Sequence, residues 1–284
     1  RARGADAGAV WGTTGLVQQS IADADAERGG DPRAAFEAAL AAFAECRRLD
    51  PREPLQYLRS AEILRRRGLR ALAGGEDPST FLDRGLADCD SALSLAPEWA
   101  RVLRAQAALH LLRALWLRSR GGDPAGSLDS ANAEAREAVR RDASNPATWA
   151  TMSQATQALA DWRRSIGGDA ETLRDDSLSA ANRAVSLAPR SREFLLLRGH
   201  LQAWLAQSGS KDPEKREPLL RAAIGDYEGV LALQADRLDA LHALAVCAEL
   251  LGFVHIEQRA SPVREFETAI QAREKVLVLV AADP

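Results

Sequence analysis

Apolar residues recur along the chain at spacings of three and four, which is the pattern of helices with one buried face. The pattern predicts helices at 6–28 and 32–49, and again at 53–73 and 78–95. A further break, such as Asp50-Pro51, follows each pair, because the residue before a proline avoids the helical conformation. We therefore expect an all-α protein built from pairs of helices.

A loop signature based on Gly-Gly-Asp-Pro recurs with a period of 46 residues. This period takes Gly29 to Gly75, Gly121 and Gly167, Asp31 to Asp77, Asp123 and Asp169, and Pro32 to Pro78 and Pro124. Glycine can end a helix in the left-handed conformation, aspartate accepts the first free amides of the next helix, and proline fits its first turn. Each signature therefore joins two helices. We predict a disordered start at 1–4 and one array over 5–284. Its repeats are expected at about 5–50, 51–96, 97–142, 143–188, 189–234 and 235–284.

The first helix of each repeat carries a column of small residues, which lets a neighbouring helix approach closely. This column reads Gly15, Ala61, Ala107, Ser153, Gly199 and Ala245. Cys46, Cys89 and Cys247 fall in apolar columns. We expect them to be inert core residues, since their spacing fits neither a disulfide framework nor a zinc site.

Composition narrows the possible functions. The chain is 46% hydrophobic, which is enough for a continuous core, and its net charge of −3 provides no general attraction to nucleic acid. We expect no membrane insertion, because no apolar run approaches the 18–20 residues that a span needs, and no signal-peptide core follows Arg1. A cytoplasmic location is expected. The one methionine, Met152, suggests a piece of a longer protein.

Catalytic chemistry is not indicated. The Gly-Gly turns lack the Lys-Ser/Thr that follows a phosphate-binding loop, and they recur once per repeat. The four histidines occupy four different repeat columns, and no two have the spacing of metal ligands or of a catalytic dyad. We expect no enzyme activity in this region, no cofactor and no metal.

The columns resemble the tetratricopeptide (TPR) pattern of a large residue, Gly or Ala, then Ala, an aromatic residue, Ala and Pro. Trp11 with Gly15, followed by Ala39, Phe43, Cys46 and Pro51, carries this resemblance. It implies a right-handed α-solenoid of about six helical hairpins. The usual TPR unit has about 34 residues, so both helices must be longer here. The segment from Glu27 to Phe36 also resembles long repeats that follow the kinase domain in some bacterial Ser/Thr protein kinases.

In TPR arrays the first helices line a concave groove, so the resemblance implies a partner-binding surface there. The chaperone-binding set of Lys and Asn is absent. The residues expected to face the groove or to anchor a partner are Glu62, Arg65, Arg66, Arg101, Arg104, Gln154, Gln157, Trp116, Trp162, His200 and Trp204.

Two features of this surface have alternative explanations. Trp116, Trp162 and Trp204 are expected to form an aromatic row that either fills space between lengthened helices or anchors a partner. Arg59, Arg65, Arg66, Arg67 and Arg70 form the densest positive face, expected to be solvated but placed to receive an acidic or phosphorylated peptide.

The last helix breaks the pattern, because Val276, Val278 and Val280 make it apolar where a terminal helix meets water. It is expected to pack against a further helix or a second copy of the chain, unless its end frays. The leading hypothesis is a non-catalytic scaffold that binds a peptide or domain in its groove, as the regulatory region of a larger signalling protein such as a kinase. The alternatives are a spacer or oligomerisation arm, and a small-molecule sensor.

Overall fold

The computed structural model describes residues 2–209 and 211–282, which form twelve α-helices and no β-strand. The helical class expected from the sequence is confirmed. In chain order the helices are α1 (Ala2–Glu27), α2 (Arg33–Leu49), α3 (Pro54–Ala73), α4 (Ser79–Leu95), α5 (Ala100–Ser119), α6 (Ala125–Arg141), α7 (Pro146–Ser165), α8 (Glu171–Leu187), α9 (Arg192–Ser208), α10 (Pro213–Leu233), α11 (Leu238–Glu257) and α12 (Val263–Ala282).

The bounds of α1 to α4 agree with the four helices predicted from the apolar spacing. Residues 2–4, expected to be disordered, lie in α1 instead, while residue 1 lies outside the described residues. The chain divides into two compact units. The first holds Arg1–Ala143 and Asp161–Gly168, and the second holds Ser144–Ala160 and Asp169–Pro284. The single superhelix over 5–284, and its handedness, stay predictions.

The Gly-Gly-Asp-Pro loops have the conformation that their residue types predict. Gly29, Gly75, Gly121 and Gly167 are all left-handed, with φ between 73° and 79°. After α3, Gly75 N–H donates to Leu72 O at 3.1 Å and Glu76 N–H donates to Ala71 O at 2.8 Å, which satisfies carbonyls at the end of the helix. Asp77 Oδ1 then accepts from Ser79 N–H at 2.8 Å. Hydrogen bonds from the Ser79 side chain and then from its backbone lower the pKa of the Asp77 carboxyl. Each loop therefore ends one helix and starts the next.

Each unit has its own apolar core. In the first unit Phe36, Phe43, Leu58 and Leu109 are fully buried, and in the second unit the largest buried side chain is Tyr227. The three cysteines are free and buried, as expected. Burial raises the pKa of the Cys89 thiol and raises that of the Cys247 thiol to about 11, so neither thiol is activated.

One helix departs from the expectation that the chain has no apolar run of membrane length. Among the described residues, α11 is long and apolar enough to cross a bilayer, with a mean hydropathy of 1.5 over 18 residues. The same window is 56% buried inside the protein, and Leu241, Leu244 and Leu251 are buried in the core of the second unit. Length and composition alone are weak evidence for a span, because a buried core helix has the same properties.

Candidate protein-interaction surface

Five of the residues expected to face the groove lie on α3 and α5, the first helices of two adjacent hairpins in the first unit. These five, here called the arginine surface, are Glu62, Arg65, Arg66, Arg101 and Arg104. Helices α3 and α5 are in contact. An ion pair of 3.0 Å between Arg101 Nη2 and Glu62 Oε1 bridges them. The structure therefore brings these five residues onto two neighbouring helices of one unit.

Arg65 differs from its neighbours on this surface. Arg66 is paired with Asp23 of α1, and Arg101 is paired with Glu62. Arg65 is half-buried, and it makes no ion pair with any residue that the structure describes. Burial lowers the pKa of its guanidinium, the adjacent Arg66 lowers it further, and Glu62 opposes the change. The side chain is thus a partly desolvated cation without a close counter-ion.

The positive face expected along α3 is less available than the sequence indicates. Arg67 pairs with Glu37 of α2, and its guanidinium lies 4.7 Å from the centre of the Phe81 ring. Together with Arg66–Asp23, this pair ties α3 to the preceding hairpin. The expectation of a solvated arginine face is therefore wrong for Arg66 and Arg67, because their charges are neutralised within the protein.

Four of the expected residues lie in the second unit, namely Gln154, Gln157, His200 and Trp204. Gln154 and His200 are exposed, whereas Gln157 is half-buried. Partial burial lowers the pKa of the His200 imidazole, which Asp239 opposes, and the ring lies 5.5 Å from that of Tyr227. These residues remain predictions for a partner-binding surface.

The tryptophans are partly buried rather than fully exposed. Trp204 packs against the cluster of Ala181, Leu201 and Leu205, with the Arg174 guanidinium 5.0 Å from its ring. Packing between helices explains this tryptophan. Trp116, in the first unit, has the Arg120 guanidinium 5.4 Å from its ring.

Trp162 is half-buried and belongs to the first unit, as Trp116 does, whereas Trp204 belongs to the second. The aromatic row expected from the sequence, which would cross that division, stays a prediction.

A pocket in the first unit was missed by the sequence reasoning. It has a volume of about 960 Å³ and lies between α1, α2 and α3, with Gln56 and Arg59 on its wall. Gln56 is buried, and its Oε1 has no hydrogen-bond partner. A signal was present in Gly8 and Gly12, two glycines of α1 that lie at this wall. The pocket needs three helices, so periodicity within one helix could not reveal it.

A polar cluster around two buried side chains, His255 and Glu265, was also missed in the second unit. His255 Nδ1 lies 3.3 Å from Glu265 Oε2, and its Nε2 lies 3.1 Å from Arg221 Nη2 and 3.7 Å from Glu217 Oε1. The cluster joins α10, α11 and α12, and Glu265 stands in a column that is mostly apolar in the earlier repeats. No group of three or more His, Cys, Asp and Glu side chains in the described part of the chain is arranged to hold a metal ion.

The last helix is only partly as expected. Val278 and Val280 are 68% and 57% exposed, but Val276 is buried. The expectation that Val276 forms part of an exposed contact surface is therefore wrong, because it occupies the core-facing column of Val230 and Ala184. Leu277 and Ile270 are exposed on the same helix.

No protein-family model matches the sequence, and no curated protein matches it. Several solved structures are similar in fold. The nuclear import adaptor Nro1 of S. pombe has a TM-score of 0.57 at 13% identity, over 96% of this chain and 94% of its own. Pseudomonas aeruginosa pilF has a TM-score of 0.55 at 13% identity, over 95% and 90%.

A third structure, the TPR protein TTC0263 of Thermus thermophilus, has a TM-score of 0.54 at 15% identity, over 82% of this chain and 98% of its own. At these identities the likeness concerns the fold. The chain has the fold of a tetratricopeptide-repeat array with lengthened helical hairpins.

Proposed function

We propose that the protein is a non-catalytic scaffold that binds an acidic or phosphorylated segment of a partner protein on the arginine surface of α3 and α5. The observation that carries the proposal is Arg65, half-buried and without an ion pair among the described residues, next to Arg66, which is paired with Asp23. Desolvation without a counter-ion is unfavourable for a charged group. A carboxylate or phosphate from a partner would remove that cost.

Arginine suits this role because its planar guanidinium binds carboxylates and phosphates through two parallel hydrogen bonds. The intramolecular pairs of Arg66 and Arg101 hold the surrounding helices in place, so a ligand would meet a preorganised surface. The comparison with Nro1, described as a nuclear import adaptor, supports a binding role, since an adaptor acts through its partners.

The test is binding of fluorescent peptide pools of matched length, which are acidic, phosphorylated or neutral, measured by anisotropy. Arg65→Gln should weaken binding of the charged pools about tenfold, or roughly 1.4 kcal/mol, and reduce the dependence on salt. Arg70→Gln is the matched control, because Arg70 is an exposed arginine on the same helix. Equal affinities for all three pools, or equal loss in both variants, would contradict the proposal.

A kinase context is a second proposal, supported only by the resemblance of the segment from Glu27 to Phe36. Two residues of this segment have structural roles of their own: Asp31 accepts from Arg33 N–H at 3.0 Å, and Phe36 is buried in the core. The test compares binding to a purified bacterial Ser/Thr kinase domain before and after autophosphorylation. Preference for the phosphorylated form is expected if the arginine surface is regulatory, and no binding to either form would remove this proposal.

An oligomerisation arm is the alternative function, and the exposure of Val278 and Val280 favours it. In that case the peptide pools do not bind and the protein self-associates through its last helix. A spacer would neither bind the peptides nor self-associate. Peptide binding and self-association must therefore both be measured to separate these roles.

A further inference from the structure

The contact between α4 and α5 shows how one hairpin joins the next in this protein. Leu86 and Leu93 of α4 pack against the cluster that contains Val102 and Leu109 of α5. Val102 and Leu109 are both 0% exposed. The junction has two halves. One is the apolar pair on α4, the second helix of its hairpin, and the other is the apolar pair on α5, the first helix of the next hairpin.

Helix α1 carries one half of such a junction. Val10 and Val17 stand two repeats before Val102 and Leu109, in the same columns, and are 64% and 52% exposed. A shallow groove of about 380 Å³ lies along this face beside Val17. In the other five repeats both columns are buried. Their residues are Gln56, Val102, Thr148, Phe194 and Ala240 in the first column, and Ile63, Leu109, Ala155, Leu201 and Cys247 in the second.

Helix α12 carries the other half. Ile270 and Leu277 stand four repeats after Leu86 and Leu93 and are 55% and 70% exposed. In α6 and α8 the residues equivalent to Leu277 are Val139 and Val185, and both are buried. Ile270 and Leu277 thus stand in columns that in earlier repeats pack against the following helix.

We infer that the protein self-associates head to tail, with the α12 face of one copy packing on the α1 face of another copy. The occupant is a second copy because the two exposed faces reproduce, column by column, the two halves of the α4–α5 junction. Burying Val10, Val17, Ile270 and Leu277 removes apolar surface from water, as the internal junction does. A contact between two different faces leaves one face free at each end of an open assembly, so copies are added as concentration rises unless a ring closes.

One polar element of the α4–α5 junction is not repeated at the ends. Asp83 pairs with Arg113 there, and the equivalent residues are Glu267 on α12 and Ile21 on α1. The head-to-tail contact therefore depends on its apolar columns. Replacing those residues with charged ones should abolish it.

The experiment is sedimentation velocity over a wide concentration range. The mass of the wild-type protein should rise from that of the 30.6 kDa monomer through successive multiples. A head variant, Val10→Glu/Val17→Glu, and a tail variant, Ile270→Lys/Leu277→Glu, should each be monomeric alone. Mixed together they should form a 1:1 dimer that grows no further, because each keeps the face that the other lost.

Leu115→Glu is the control, since Leu115 is an exposed leucine that belongs to α5 and to neither of the two proposed faces, and it should assemble like wild type. A wild-type monomer at every concentration overturns the inference. Self-association by the head variant alone would establish a symmetric α12 contact instead. If the mixture of head and tail variants stays monomeric, the head-to-tail inference is also contradicted, provided that both variants keep the helical circular dichroism and melting temperature of the wild type.

A second measurement does not depend on charged substitutions. Copies carrying Val10→Cys and copies carrying Leu277→Cys should form a disulfide with each other under mild oxidation, because the equivalent α4 and α5 residues belong to one packed cluster. Each variant alone should cross-link much less. Equal cross-linking in the mixture and in Leu277→Cys alone would favour the symmetric contact.

Discussion

At the scale of residues, the small column of the first helices is the clearest link between sequence and packing. A Cβ atom placed on Gly15 would overlap the ring of Phe43, which is fully buried on α2. Gly199, in the same column, has this relation to Tyr227, at 2.9 Å. Gly252, seven residues after Ala245 of that column, has it to Phe266, at 2.7 Å. Close packing of a large ring on a bare backbone therefore recurs along the chain, and it allows the two helices of a hairpin to approach.

The first prediction concerns Gly15. Gly15→Ala should lower the free energy of unfolding by about 1–3 kcal/mol, because the added methyl group must displace the Phe43 ring from a well-packed core. Gly8→Ala, in the same helix, is the matched control, since nothing lies within 4 Å of its Cβ position. It should raise stability slightly through helix propensity. Chemical denaturation measures both, and a Gly15→Ala variant as stable as Gly8→Ala would show that the column is not tightly packed.

At the scale of elements, the hairpins share one plan but differ in detail. The α7–α8 hairpin replaces the small apolar contact with a hydrogen bond, in which Ser177 Oγ donates to Ser153 O at 2.9 Å. The α11–α12 loop keeps the backbone hydrogen bonds of the Gly-Gly loops, with Ala260 N–H donating to His255 O at 2.8 Å. It has no glycine at the left-handed position, where Arg259 has a φ of 60°.

The second prediction tests that loop. Arg259→Gly should stabilise the protein by about 1 kcal/mol, because the left-handed conformation is costly for residues with a Cβ atom and not for glycine. Gly121→Ala should have the opposite effect, since Gly121 has a φ of 73° and no atom within 4 Å of its Cβ position. Thermal melting of the two variants measures the difference. Shifts of the same sign would indicate that backbone conformation does not decide the outcome.

At the scale of the whole molecule, contacts are local along the chain. In the first unit they join helices of one hairpin or of adjacent hairpins, such as α1 with α2, α2 with α3 and α3 with α5. In the second unit α9, α10, α11 and α12 follow the same rule. Stability in such arrays is a sum of repeat and neighbour contributions, so local damage should stay local.

The third prediction follows from this locality. Gly15→Ala should reduce hydrogen-exchange protection in α1, α2 and α3 while leaving α9 to α12 as in the wild type. Gly199→Ala should do the reverse, because its Cβ would meet Tyr227 in the second unit. Exchange measured by mass spectrometry resolves the helices. Uniform loss of protection in either variant would mean that the chain unfolds as one cooperative block.

The sequence by itself determined the helices, their pairing and the buried columns. These depend on local rules, which are the 3.6-residue period, the conformational freedom of glycine and the capping of a helix by aspartate, and each repeats every 46 residues. Tertiary structure decided which charged and apolar residues stay available. Arg65 and Arg66 are adjacent arginines in the sequence, yet Asp23 pairs with one and leaves the other unpaired among the described residues. Leu277 likewise shares a column with the buried residues Val139 and Val185, yet it is itself exposed. Availability depends on what a neighbouring helix places opposite a side chain, and the pattern within one helix does not contain that information.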